Sequence, residues 1–407
     1  MTESMQPVAA FLQDIIRIPS LSGKEEEVVR RIAREMDATG AFDEVRFDQL
    51  GSVIGRIGHG PLTVMLDAHI DTVDIGDRSQ WAWDPYGAEI VDGQITGRGA
   101  VDEKPAMACM LYGAAAFSKK CREHLTVYVV GSVLEEDCDG YPLRHLIEEE
   151  GIRPDMVVLG EPTDLNVYRG QRGRMELTIS VCGRAAHGAH CDRGENAVYK
   201  MAPIISEIEA LHARLKDDVL LGKGSVTVSR IESTSPSLCS VADGCTIYLD
   251  RRLTRGETKE SAMAELEALP SVQRARARVA VRTYDGVAWT GRAVHQEAYY
   301  PAWVLEDEHP LVRAGMEAAA AVNPRPPRLG VWTFSTNGVA TMGRFGIPTI
   351  GYAPGREELA HSVHEAVAVA DVACAVGFYT KLLENLAEQA SRTDVREKAG
   401  RGMEDGR

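Results

Sequence analysis

Apolar positions follow two different rhythms along the chain, and the switch between them divides it. Residues 6–17 place Val8, Phe11, Leu12, Ile15 and Ile16 at helical spacing. A second helix is predicted from "SLSGKEEEVVRRIAREMDATG", with Ser22 as its cap, Glu25–Glu27 in its first turn and Gly40 past its end. Short β-rich runs follow ("SVIGRI", "LTVMLDAHID", "LTVYVVGSVLEED", "PDMVVLGEP"), with the buried helix "DEKPAMACMLYGAAAF" among them. Continuous apolar strands alternating with helices predict a sheet covered on both faces.

Near residue 174 the rhythm changes to strict alternation. The stretch reads as strand, helix, two strands, helix, strand, from "GRMELTISVCGRA" to "RARVAVRTYD". That pattern suits a small sandwich with one open sheet face. After about residue 295 the buried pattern resumes, with "HPLVRAGMEAAAAV", "GIPTIGYAP" and "VADVACAVGFYTKLLENLAEQ". The expected fold class is therefore α/β. A discontinuous unit, 1–173 and 293–390, carries a mixed, mostly parallel sheet flanked by helices. A smaller α/β sandwich, 174–292, is inserted in it. The polar stretch 391–407 is expected to be a flexible tail.

The 407 residues suit two domains, and 44% hydrophobic with 26% charged residues is ordinary for a folded chain. A formal net charge of −15 argues against nucleic-acid and acidic-membrane partners, which need a basic face. The eight cysteines are scattered, with no Cys-x-x-Cys pair, so a thiolate metal site is not expected. No apolar run approaches ~18 residues, and the opening stretch has no basic start before an apolar core. With free cysteines, this predicts a cytoplasmic protein.

Acid and imidazole groups recur at the ends of the predicted strands, where open α/β sheets build their sites. "DAHIDTVD" puts His69 and Asp71 on one face of an extended segment, as for a metal ligand and its orienting neighbour. In "ITGRGAVDEKPAM", Asp102 lies near a helix start, where capping is the simpler role. "VVGSVLEEDCDG" ends an uncharged apolar strand with Glu135, Glu136 and Asp137, which need a cation or many hydrogen bonds there. Glu161 ends another strand in "VVLGEPTD", and "GYAPGREELAHSVHE" supplies His361, His364 and Glu365. Singly each piece reads as an ordinary turn. Jointly they offer imidazole and carboxylate ligands suited to zinc, cobalt or manganese.

This order of motifs resembles the co-catalytic metallohydrolases that include aminoacylases, acetylornithine deacetylase, succinyl-diaminopimelate desuccinylase, glutamate carboxypeptidase and dipeptidases. It spans about residues 5–390. "GVWTFSTNG" resembles in particular a subgroup of selenium-metabolism-linked hydrolases. The resemblance implies that His69 and Glu161 bind one metal ion, Glu136 and His361 a second, and that Asp102 bridges them. One or two divalent ions are implied, zinc first, with cobalt or manganese as alternatives. It also implies that Asp71 orients His69 and that Glu135 is the general base. The inserted unit would be a lid and dimer interface. His187, in "GRAAHGAHCDRGENA", would then stabilise an oxyanion in the partner's site of a homodimer. In "LDRRLTRGE", Arg252 would grip a substrate carboxylate, while Arg251 and Arg255 are expected to be solvated. Ser335, Thr336 and Asn337 are expected to line the substrate pocket, with capping of the following helix the other role open to Asn337.

Two departures bear on the substrate. Pro105 and Ala106 stand where many relatives have Gly-Gly. Cys239 or Ser240 stands where many have an asparagine that helps hold substrate. The expected reaction is hydrolysis of an N-acyl amino acid or related small carboxylate-bearing amide. Dipeptidase or carboxypeptidase action, and removal of an amino group from a ring carbon, use the same machinery. A non-catalytic binding protein on this fold would be expected to have lost Glu135 or several ligands.

Overall fold

The computed structural model describes residues 6–117 and 122–404, with side chains described as far as residue 392. Cys121 lies outside them. Two sheets organise the chain. The larger has nine strands in the order Glu44–Phe47, Val53–Ile57, Leu125–Ser132, Leu62–His69, Met156–Leu159, Thr349–Gly351, Val167–Gln171 and Trp303–Val304, with Leu329–Trp332 also paired to Val167–Gln171. The four central strands, Leu125–Ser132 through Thr349–Gly351, run parallel. Most pairings outside them are antiparallel, so the expected parallel character belongs to the centre.

Both faces are covered. One packs against helices Gln6–Ile16, Glu26–Thr39, Lys104–Ala116, Pro310–Val322 and Val369–Glu404 around a single large core. The other packs against Tyr141–Glu148 and Gly338–Phe345 through Leu143, Leu146 and Ala340. Burial on both faces explains why Leu62–His69 and Leu125–Ser132 read as apolar runs rather than alternations.

The smaller sheet orders Ser225–Thr234, Gly244–Leu253, Gly173–Cys182 and Arg278–Val281, and every pairing is antiparallel. Helices Ala197–Arg214, Lys259–Glu267 and Pro270–Ala275 cover one face and share a separate core with it. The strict in–out burial of Gly173–Cys182 is the alternation seen in the sequence. The hairpin Thr283–Val287 with Ala293–Glu297 returns Ala288 and Val294 to the larger core, while Tyr299–Tyr300 rejoins the smaller sheet.

Three expectations change. Ser22 does not cap the second helix, which begins at Glu26 behind Glu25; its hydroxyl donates to Asp71 instead, at 2.6 Å. Arg251 is fully buried rather than solvated. It shares a strand face with Leu249 and Leu253, and Glu257 and Glu265 receive its guanidinium. In place of an expected tail, the backbone from residue 391 continues the last helix to Glu404. Residues 405–407 lie outside the described chain. No helix among the described residues is long and apolar enough to cross a membrane.

Candidate metal centre

Strand ends of the larger sheet deliver the site. His69 is the last residue of Leu62–His69, and its ring is fixed from behind. Nδ1 lies 3.0 Å from the Asp71 carbonyl oxygen and 3.7 Å from the Asp71 carboxylate. With a proton on Nδ1 donated to that carbonyl, Nε2 turns a lone pair into the site. Four carboxylates face Nε2: Asp102 at 3.0 Å, Glu103 and Glu161 at 3.9 Å, and Glu135 at 4.0 Å. Across from it, His361 Nε2 lies 3.0 Å from the other oxygen of Asp102 and 3.1 Å from Glu136. Asp102 thus stands between the two imidazoles, and it caps no helix: the next one starts at Lys104.

Left-handed backbone marks two of the turns. Leu134 has φ +66° and His361 φ +60°, rare for residues with a Cβ. At Leu134 the turn carries the chain off its strand, and buried Glu25 accepts the Leu134 N–H at 3.1 Å. The following N–H groups, of Glu135 and Glu136, both donate to buried Asp71 at 3.1 Å. One carboxylate therefore anchors the strand end bearing His69 to the turn bearing both glutamates. On the other side, buried Glu365 pairs with Arg98 and accepts the N–H groups of Gly99 and Val101. That fastens the Asp102 loop to the His361 segment.

The donor set calls for cations. His69, Asp102, Glu103 and Glu161 can each place a ligand atom within 4.8 Å of the others, and so can Asp102, Glu136 and His361. Asp102 belongs to both groups. Glu103 Oε2 and Glu135 Oε1 are buried without a hydrogen-bond partner, a costly state for carboxylates unless a cation meets them. The protons respond to the same crowding. Burial and then Asp139 push the Glu135 carboxyl well above the usual range, and burial with Glu103, Asp102 and Glu135 does the same to Glu161. Hydrogen bonds to Asp102 and Glu136 raise His361 to about 10. Burial opposes ionisation of Asp102, but the hydrogen bonds from His361 and His69 outweigh it and hold its pKa low. Acids forced to keep protons around shared imidazoles describe a site shaped for divalent ions.

These groups open into a cavity of about 720 Å³ that Arg174, Arg252 and Ser335 also line. Arg252 is held by Asp250 through Nε and Nη2, at 2.7 and 3.0 Å. Of the three residues 335–337, only Ser335 reaches the cavity, and its hydroxyl donates to Asp139. Thr336 is buried on Gln171. The Asn337 amide donates to Asp67 and Ser132 and accepts from the Gly140 N–H, and makes no capping bond. Both are therefore part of the packing beneath the cavity, which corrects their expected place in its lining. His187 is exposed at the start of the turn Gly188–Arg193, outside the lining.

Three contributors escaped the sequence reading. Glu103 adjoins Asp102 at the head of a buried helix, an acid with no apolar-side reason to be there. Glu25 looked like a first-turn helix acid but is buried under the Glu135 turn. Arg174 sits at the start of an alternating strand whose polar face gave no sign of facing the cavity. Pro105 sits in the first turn of its helix, and Ala106 packs where Gly160 has no side chain: a Cβ on Gly160 would lie 2.6 Å from that of Ala106.

Residues 65–385 match the model of the peptidase family M20/M25/M40. The chain is 49% identical over 356 residues to the uncharacterized protein YgeY of Escherichia coli K12, covering 87% of this chain and 88% of that one. It is 25% identical to a succinyl-diaminopimelate desuccinylase of Magnetococcus marinus, covering 94% and 98%. In structure it is similar to an M20 family metallo-carboxypeptidase from Sulfolobus solfataricus, with a TM-score of 0.72, 17% identity and coverage of 95% and 100%. With its sheet, its inserted unit and its clustered imidazoles and carboxylates, the chain belongs to the peptidase M20/M25/M40 family of metal-binding hydrolases acting on C–N bonds.

Proposed function

We propose that this enzyme hydrolyses the amide bond of an N-acyl amino acid or a related small amide bearing a carboxylate. The observation that carries the reading is the pair of ligand groups sharing Asp102, with Glu135 beside them in a cavity that also holds Arg252. His69 and Glu161 would hold one ion and Glu136 and His361 the other, with Asp102 available to both, and zinc is the first choice over cobalt or manganese. Such ions, when bound, polarise a carbonyl and make water more acidic. Glu135 takes the proton of the attacking water and returns it to the leaving nitrogen. Bound ions beside Glu135 would offset the burial that pushes its carboxyl upward and leave it ionised for that role. Asp71 fixes the His69 ring and the Glu135 backbone together. Arg252 receives the carboxylate of the amino-acid portion through the Nη1 that Asp250 leaves free.

Likeness to a desuccinylase along nearly the whole chain supports acyl removal, and likeness to a metallo-carboxypeptidase fits the dipeptidase or carboxypeptidase alternative. The test is a panel of N-acyl amino acids and dipeptides offered to the zinc-loaded enzyme. Faster turnover of dipeptides would replace this reading with a dipeptidase, and turnover of neither would end it.

The smaller unit is a lid and dimerisation module in this reading. Its edge strand Ser225–Thr234 exposes Ile231, and Leu238 and Tyr199 are exposed on the same unit. Exposed His187 then serves the partner's site. Mixing Glu135→Gln chains with His187→Ala chains tests this. Complementing dimers would regain up to about a quarter of normal activity by random pairing, and no recovery refutes a shared site. The seven described cysteines are free thiols, which supports residence in a reducing cytoplasm.

A further inference from the structure

Arg252 is not alone on its strand face. In the antiparallel pairing of Gly244–Leu253 with Gly173–Cys182 its direct partner is Arg174. Directly opposed residues share a sheet face with Cβ atoms ~4.5–5.5 Å apart, and like charges so placed destabilise the sheet. Both arginines line the cavity with the ligand cluster. Three acids offset the repulsion: Asp250 on Arg252, and Asp139 at 2.8 Å with Glu176 at 3.7 Å on Arg174. Arg174 is further set by lying over the Tyr300 ring, 4.6 Å from its centroid. Yet the pair is not saturated. Arg174 donates to Asp139 through Nη2 while its Nη1 lies 3.7 Å from Glu176, beyond hydrogen-bond reach, and Asp250 engages only Nε and Nη2 of Arg252.

Two adjacent guanidinium groups with spare donors suit two negative charges rather than one. We propose that Arg174 is a substrate-binding residue, and that the substrate carries a second acidic group which Arg174 receives while Arg252 receives the first. This rests on the amide-hydrolase reading and narrows it to dianionic amides, such as N-acyl derivatives of acidic amino acids. The acidic metal cluster would repel such a substrate without ions, so its two charges belong at the arginine side of the cavity.

The competing account is that Arg174 only fastens Asp139, and through it Ser335, to the smaller unit. Two measurements separate them. The first compares kcat/KM for N-acetylglutamate and N-acetylnorvaline, which differ by one carboxylate, in the zinc-loaded wild type and in Arg174→Met. The wild type is expected to favour the dianion by about 10- to 100-fold, the range of a charge-assisted hydrogen bond. In Arg174→Met that ratio should collapse towards one, and Arg174→Lys should restore part of it. The second measures binding of glutarate and valerate, which need no turnover, by calorimetry on the same three proteins. Glutarate should lose affinity in Arg174→Met far more than valerate. Equal losses for both ligands, or no wild-type preference for the dianion in binding, overturn the proposal. Selective glutarate binding without hydrolysis of any amide would keep the subsite and refute the amide-hydrolase reading instead.

Discussion

Replacing Asp71 by Asn tests whether one buried carboxylate organises the centre. The side chain accepts three hydrogen bonds, from Ser22 Oγ and from the Glu135 and Glu136 N–H groups, and lies 3.7 Å from His69 Nδ1. An asparagine can keep its oxygen at Oδ2, retaining Ser22 and Glu136. Its NH2 then meets the Glu135 N–H, two donors face to face. A buried donor left unpaired costs about 1–3 kcal/mol. An opposing gain exists, because burial already pushes the Asp71 carboxyl upward, and a neutral amide escapes that cost. The net loss of stability should therefore stay below about 2 kcal/mol.

Function should suffer more. Removing a partner behind a ligating histidine typically costs ~10–100-fold in metal affinity. The lower end applies here, since the Asp71 main-chain carbonyl still receives Nδ1 and preserves the tautomer. Turnover with the site saturated by zinc should fall by a further ~10²-fold, because Glu135 loses the anchor of its backbone and sub-ångström placement governs proton transfer. Competition with a chromogenic chelator measures the affinity, and initial rates at saturating zinc measure the turnover. An Asp71→Asn enzyme with wild-type affinity and a rate within about threefold would refute the anchoring role.

Glu135→Gln should bind metal normally and lose about 10²–10⁴-fold in kcat, read by metal analysis beside steady-state rates; near-normal turnover removes it from proton transfer. Gly160→Ala should cost roughly 1–3 kcal/mol, because the new methyl meets Ala106 Cβ at 2.6 Å and Glu103 Oε1 at 3.1 Å just before Glu161. Adding Ala106→Gly should recover most of that in a denaturant titration, and strict additivity of the two changes would contradict the contact.

What the sequence revealed and what it hid follow one physical rule. Features set by local rhythm were legible: the change of alternation at residue 174, the continuous strands of the central sheet, and strand-end acids that an apolar run could not hold unaided. Glu135 and Glu136 stood out because the uncharged strand before them removed the ordinary explanation. Features set by what lies opposite in space were hidden. The resemblance carried by "GVWTFSTNG" puts Asn337 in the pocket or at the cap of the next helix. Only the fold supplies Asp67, Ser132 and Gly140 as its partners. Arg251 differs in kind: alternation puts it on the buried face with Leu249 and Leu253, while its charge points to solvent. Half-buried Glu257 and exposed Glu265 make the burial tolerable, and both come from further along the chain. The same rule explains Arg174. Its importance lies in Arg252 across the strand pair, seventy-eight residues away in sequence, and no single strand can announce its neighbour. A charge that looks ordinary along the chain gains its meaning from a second charge of the same sign placed against it, and the fold bears the cost of that repulsion at the cavity wall.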